Sequence, residues 1–146
     1  MQAIPALTGT KYSNTSADQF AWTVYTGDLV SHDSQNQLSR AYTDYAEASM
    51  YQQFKYFIPS GPIFAALGNH DSNPENIDSP HSLPGPLGQQ QSWNYEHVAS
   101  LWQLNGWISP NAAVQARTHY AAYSVNHPAY PKLRIITLNT GKQTRC

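Results

Sequence analysis

Two short segments of this chain share one build: an apolar run, then glycine, then an oxygen-bearing side chain. The first run, residues 20–26, closes on Gly27 and Asp28; the second, residues 63–67, closes on Gly68, Asn69, His70 and Asp71. Aromatic and β-branched residues bounded by glycine make each run a strand. Between them Leu38, Tyr42, Tyr45, Ala46, Ser49, Met50, Phe54 and Phe57 recur at helical spacing. That predicts an amphipathic helix over residues 34–57, stopped by the Pro59-Ser60-Gly61-Pro62 turn. Strand, helix, strand is a βαβ unit, whose two loops open at the same sheet edge. The fold class expected is therefore α/β, with Asp28, Asn69 and His70 brought together on loops that a rigid scaffold positions.

Elsewhere the pattern is coarser. Residues 1–19 read as an entry loop, because small polar residues and Gly9 show no apolar period. Residues 72–91 hold Pro74, Pro80, Pro84, Gly85, Pro86 and Gly88, too many breakers for a regular element, and predict a long functional loop. Trp93, Val98, Leu101, Trp102 and Leu104 predict a helix over residues 92–104 with Ser92 as its N-cap. Residues 119–126 and 132–139 read as two strands around a proline-containing turn.

Composition narrows the functional classes. At 146 residues, 40% hydrophobic and 12% aromatic, with ten Tyr and four Trp, the chain has the size and content of a packed domain. Eight basic residues against nine acidic ones, for a net charge of −1, with no Lys/Arg stripe, argue against a nucleic-acid partner. Charged residues make up 12%, where about 25% is usual; Ser, Thr, Asn and Gln fill the surface instead, a style suited to a secreted or vacuolar protein. Cys146 stands alone, so no intrachain disulfide forms. Asn14-Thr15-Ser16 is a glycosylation sequon. Neither a signal-peptide pattern nor a transmembrane run is present.

The loop residues suit one chemistry. A carboxylate such as Asp28 can bridge two divalent cations about 3.5–4 Å apart and offset their repulsion. Asn69 offers a neutral carbonyl oxygen to one of them. Such a pair lowers the pKa of a bridging water toward about 7, which prepares it for in-line attack on phosphorus. His70 and His32, on the same loops, have the chemistry to protonate a departing alkoxide. A Gly-Asp or Gly-Asn-His-Asp sequence alone is also an ordinary turn. Two such loops, in order at the ends of strands joined by a helix, favour a site. Asp33 and Asp71 stay open between orienting a histidine and, respectively, capping a helix or hydrogen-bonding a loop. No ligand spacing links His81, His97, His119 and His127, which read as ordinary core or surface histidines.

The motifs Thr26-Gly27-Asp28-Leu29-Val30-Ser31-His32-Asp33 and Ala66-Leu67-Gly68-Asn69-His70-Asp71 resemble two motifs of the calcineurin-like metallophosphoesterases. The tighter resemblance is to acid sphingomyelinases, particularly the fungal type, which pair a Trp-Thr-x-Tyr-Thr-Gly-Asp strand with a His four residues after the Asp. Trp22 to Asp28 and His32 match it, and Ser92-Trp93-Asn94-Tyr95, Tyr123-Ser124-Val125 and residues 133–140 are similar to later segments. The resemblance covers residues 20–140 and implies an α/β sandwich in which two sheets pack between helices. It further implies that Asp28 bridges two zinc ions, that Asn69 binds one of them, and that His32 and His70 face the phosphodiester. The implied reaction is hydrolysis of sphingomyelin at a membrane surface to ceramide and phosphocholine, by an extracellular or vacuolar/lysosomal enzyme. Other phosphoesterases with the same loops, acting on nucleotides, phosphomonoesters or other diesters, form the alternative, as does a non-catalytic truncated product. The family's Asp-x-His and Gly-His-x-His ligand motifs do not occur in this sequence, and residues 141–146 depart from the family. The expectation is a central portion of one catalytic domain that, by itself, binds zinc weakly or not at all through these loops and does not turn over.

Overall fold

The computed structural model describes residues 20–30, 39–59, 61–73 and 93–140, together with residue 86. The Asn14 sequon, His32, Asp33, His81, Ser92, Cys146, most of the loop expected over residues 72–91 and the tail over 141–146 lie outside the described residues. Thr23–Tyr25 forms β1 and Ile63–Ala65 forms β2, paired in parallel with Thr23 opposite Ile63 and Tyr25 opposite Ala65. The helix α1, Arg40–Phe57, lies between them in sequence, so the βαβ unit is present.

β1 differs from the buried strand expected. All three residues of β2 are buried, yet Val24 on β1 is 64% exposed. β1 has a hydrogen-bonded neighbour on one edge only among the described residues. Its side chains accordingly divide between core and surface: Tyr25 packs its ring against Tyr51 and Phe54, while Val24 points away from them.

α1 begins at Arg40, later than residue 34. Ser39 is its N-cap in extended conformation, with Oγ accepting from Tyr42 N at 3.3 Å, which satisfies one of the amides that a helix start leaves open. The face expected to be buried is displaced as well. Thr43, Glu47 and Tyr51, at four-residue steps, are buried, whereas Tyr42 and Tyr45 are exposed. Two polar residues in the buried stripe break the apolar period, and the amphipathic tyrosines imitate it.

α2, Trp93–Leu104, follows the expected spacing. α3, Pro110–Thr118, does not figure in the sequence reading, although Ser109 caps it and proline opens it, a pairing well suited to a helix start. Ala112, Ala113 and Ala116 are small enough to let α3 lie against Val98, Ala99 and Trp102 of α2. Trp102 is fully buried and sits 5.5 Å, ring to ring, from Tyr123. Tyr51, Ile63, Ala65 and Trp107 join the same core. That core backs β2 and thereby fixes the loop after it.

The last two strands, β3 (Tyr123–Asn126) and β4 (Arg134–Thr137), pair antiparallel. His119, expected on a strand, instead ends α3 as its C-cap, and Tyr120 and Ala121 reverse the chain with φ of 56° and 63°. The Tyr123 hydroxyl donates to Ala65 O at 3.0 Å, tying this hairpin to β2. His127 serves the hairpin turn. Its Nδ1 accepts from Ala129 N and Tyr130 N, which leaves Nε2 to carry the proton toward Ala21 O at 3.1 Å.

Candidate metal and phosphoester site

The loops after β1 and β2 meet backbone to backbone. Gly27 has φ +81°, and a Cβ built on it would stand 2.0 Å from Gly68 N; a Cβ on Gly68 would stand 2.5 Å from Asp28 N. No side chain fits at either position, so the absence of one at both is what lets the loops touch. Asp28 itself takes φ 74°, a left-handed conformation that aspartate tolerates better than most residues.

Asp71 holds the pair together. Its Oδ2 accepts from Asp28 N at 2.7 Å and Gly68 N at 2.8 Å, and its Oδ1 accepts from Leu29 N at 2.7 Å. Of the two roles the sequence left open for this residue, the structure shows loop hydrogen bonding. Burial pushes the Asp71 carboxyl up from its ordinary value, against the opposing pull of those three amides. Asn94, near the start of α2, donates its side-chain amide to the Asp71 carbonyl, so both loops and α2 converge on one residue. The Tyr25 phenol behind them is raised by burial and by the neighbouring Asp71, Glu47 and Asp28 carboxylates.

The arrangement brings Asp28, Asn69 and His70 to one edge. His70 N donates to Asp28 Oδ1 at 3.2 Å, which orients the carboxylate. Asp28 and Asn69 are exposed, while His70 is buried at 3%. An exposed carboxylate and an exposed amide on touching loop tips form an oxygen donor set that fits hard or borderline divalent cations. Sequence reasoning missed Asn94 as an anchor and gave Asp71 only an even share of its role. Nor did it bring together Asp44 and Glu47 of α1 with His97 of α2, whose side-chain oxygen and nitrogen atoms lie within 4.8 Å of one another. The four-residue stripe through Thr43, Glu47 and Tyr51 was the available signal for Glu47.

The profile of the calcineurin-like phosphoesterases matches residues 9–140. Among curated proteins, the chain is 30% identical over 126 residues to sphingomyelin phosphodiesterase 2 of Caenorhabditis elegans, covering 80% of this chain. It is 30% identical over 123 residues to a sphingomyelin phosphodiesterase of Homo sapiens, covering 84%. A cyclic GMP-AMP phosphodiesterase of Bos taurus is also 30% identical, over 125 residues and 86% of the chain. The chain spans 18% of the length of the two sphingomyelin phosphodiesterases and 25% of the third protein.

Proposed function

This chain belongs to the calcineurin-like phosphoesterase family, and on that basis we propose that it supplies two loops of a metal-dependent phosphodiesterase site that hydrolyses sphingomyelin to ceramide and phosphocholine. The observation that carries this reading is the contact of Gly27 with Gly68 under the Asp71 carboxylate, which presents Asp28 and Asn69 on one edge. The substrate is taken from the sphingomyelin phosphodiesterases among the relatives.

In this reading Asp28 and Asn69 would hold the metal, zinc by resemblance, through a carboxylate and an amide oxygen. When bound, the ions supply Lewis acidity and a lowered pKa for water. A water oxygen bonds to phosphorus, the bond from phosphorus to the ceramide oxygen breaks, and His70 or His32 delivers a proton to the departing alkoxide. The His70 amide fixes the Asp28 carboxylate through its hydrogen bond, and Asp71 keeps both loops in place. Asp28 and Asn69 alone leave most metal positions to water, so these loops by themselves hold zinc weakly and give no turnover. The expected setting is extracellular or vacuolar, with the lipid met at a membrane surface; no described helix is long and apolar enough to cross one.

A second reading is favoured by the similarity to the cyclic GMP-AMP phosphodiesterase: the same loops working on a nucleotide phosphodiester. Headgroup release from sphingomyelin vesicles and cleavage of a cyclic dinucleotide, assayed side by side on the whole protein, separate the two. Phosphocholine release supports the proposal. Sphingomyelin left intact while the nucleotide is cleaved sinks the lipid assignment and retains the phosphodiester chemistry.

A further inference from the structure

We infer that Asp44, Glu47 and His97 form a separate binding site for one borderline divalent cation of the zinc or manganese class, clamping α1 to α2 behind the Asp28 and Asn69 loops. The geometry begins with Glu47. Its side chain has no solvent exposure, and neither carboxylate oxygen accepts a hydrogen bond among the described residues. Oε2 stands 3.3 Å from His97 Nε2, and Asp44 Oδ1 stands 3.8 Å from the same nitrogen. Neither Asp44 Oδ1 nor His97 Nε2 has a hydrogen-bond partner among the described residues.

Among the described residues, no protein donor satisfies this cluster. With both carboxyls ionised, one imidazole nitrogen carries at most one proton and cannot satisfy the pair, and a buried carboxylate oxygen without a partner is costly; the metal-free chain meets that cost by keeping a proton on Glu47, which a bound cation displaces. Among the described residues Arg40 is a nearby cation, but its Nε lies 3.9 Å from the other oxygen of Asp44, Oδ2, and its guanidinium stacks over Trp93 at 4.6 Å. It does not serve Glu47. Bonds of about 2.0–2.2 Å to zinc set ligand atoms roughly 3.3 Å apart in a tetrahedron. The spacings here, 3.3 and 3.8 Å with every ligand atom within 4.8 Å of the others, reach that arrangement by small side-chain adjustments. Two carboxylates with one imidazole suit borderline metals better than calcium or magnesium, which take oxygen. Asp44 and His97 keep 32% and 25% side-chain exposure, giving an ion a route from solvent and room for a water as fourth ligand. Burial and the nearby Asp71 and Asp44 carboxylates hold the Glu47 carboxyl well above its ordinary range, a repulsion that a bound cation relieves.

The test is calorimetric titration of the 146-residue chain with zinc chloride alone, in parallel with Glu47→Gln, His97→Gln and Asp28→Asn, each checked for folding by circular dichroism. The expected result is one ion per chain, with affinity falling at least about 30-fold in His97→Gln and Glu47→Gln and unchanged in Asp28→Asn. Zinc should also raise the thermal midpoint of the parent chain but not that of His97→Gln, since a ligand that binds only the native state stabilises it. His97 is partly exposed, so its variant keeps the test valid if Glu47→Gln does not fold. The proposal is overturned if the chain takes up no zinc or if His97→Gln binds as tightly as the parent. It is equally overturned if binding vanishes in Asp28→Asn and persists in His97→Gln, which would assign the ion to the loops of the phosphoester site.

Discussion

Asp71 shows how one side chain decides a local architecture. Three amides from two loops converge on its carboxylate, and Asp71→Asn would turn an NH2 group toward at least one of those donors. The expected cost is about 2–4 kcal/mol of stability, read by denaturant unfolding, together with loss of loop order at Asp28. Gly27→Ala meets backbone at 2.0 Å in a left-handed conformation and should cost at least about 2 kcal/mol, whereas Gly106→Ala meets nothing within 4 Å and pays only its positive φ. Glu47 sets a pH dependence. Its carboxyl is raised by burial first and by Asp71 and Asp44 next, and Asp71 is raised too. The native chain therefore keeps protons that the unfolded chain releases. In chelator, stability should fall as pH climbs from the ordinary carboxylate range through these raised values. Unfolding midpoints measured from about pH 4.5 to about 7.5 should show that decline, and Glu47→Gln should flatten it; a profile unchanged by the substitution would contradict the assignment. His97, Asp44, Tyr25 and Tyr51 face the same group.

Among the elements, capping and core packing make separable predictions. Ser39→Ala and Ser109→Ala each remove a side-chain acceptor at a helix start and should cost about 1 kcal/mol. Trp102→Ala, in the fully buried heart of α2, should cost about 3–5 kcal/mol. These elements also show which parts of the fold were legible. The βαβ unit was, because glycine after each apolar run is a local signal tied to the backbone contact of Gly27 with Gly68. α2 was, because Trp93, Val98 and Trp102 recur at helical spacing, and so was the hairpin around Pro128 and Pro131. The buried face of α1 was not, since Thr43 and Glu47 are polar and the exposed Tyr42 and Tyr45 read as apolar. α3 was not, because Ala112, Ala113 and Ala116 carry little hydrophobic contrast, even though Ser109 and Pro110 mark its start. The anchoring by Asn94 depends on a contact 23 residues away in sequence, which no local pattern carries.

For the whole molecule, the family assignment covers the segment whose two loops meet at one edge. The profile match runs over residues 9–140, and within it the meeting of Asp28, Asn69 and His70 was legible because each follows a glycine that closes an apolar strand of one βαβ unit. The cluster of Asp44, Glu47 and His97 was not legible, because its members come from two helices whose contact only the fold creates. The central claim is that the two glycine-led loops carry phosphodiester hydrolysis. Its most direct test is the rate of phosphocholine release from sphingomyelin vesicles by the whole protein carrying this chain, with Asp28→Asn compared against the unaltered protein. Asparagine keeps the left-handed backbone that Asp28 adopts and replaces the charged carboxylate with a neutral amide that has one acceptor oxygen, so the account predicts a folded protein whose rate falls by at least about 100-fold. A folded Asp28→Asn protein that releases phosphocholine at the unaltered rate would contradict it.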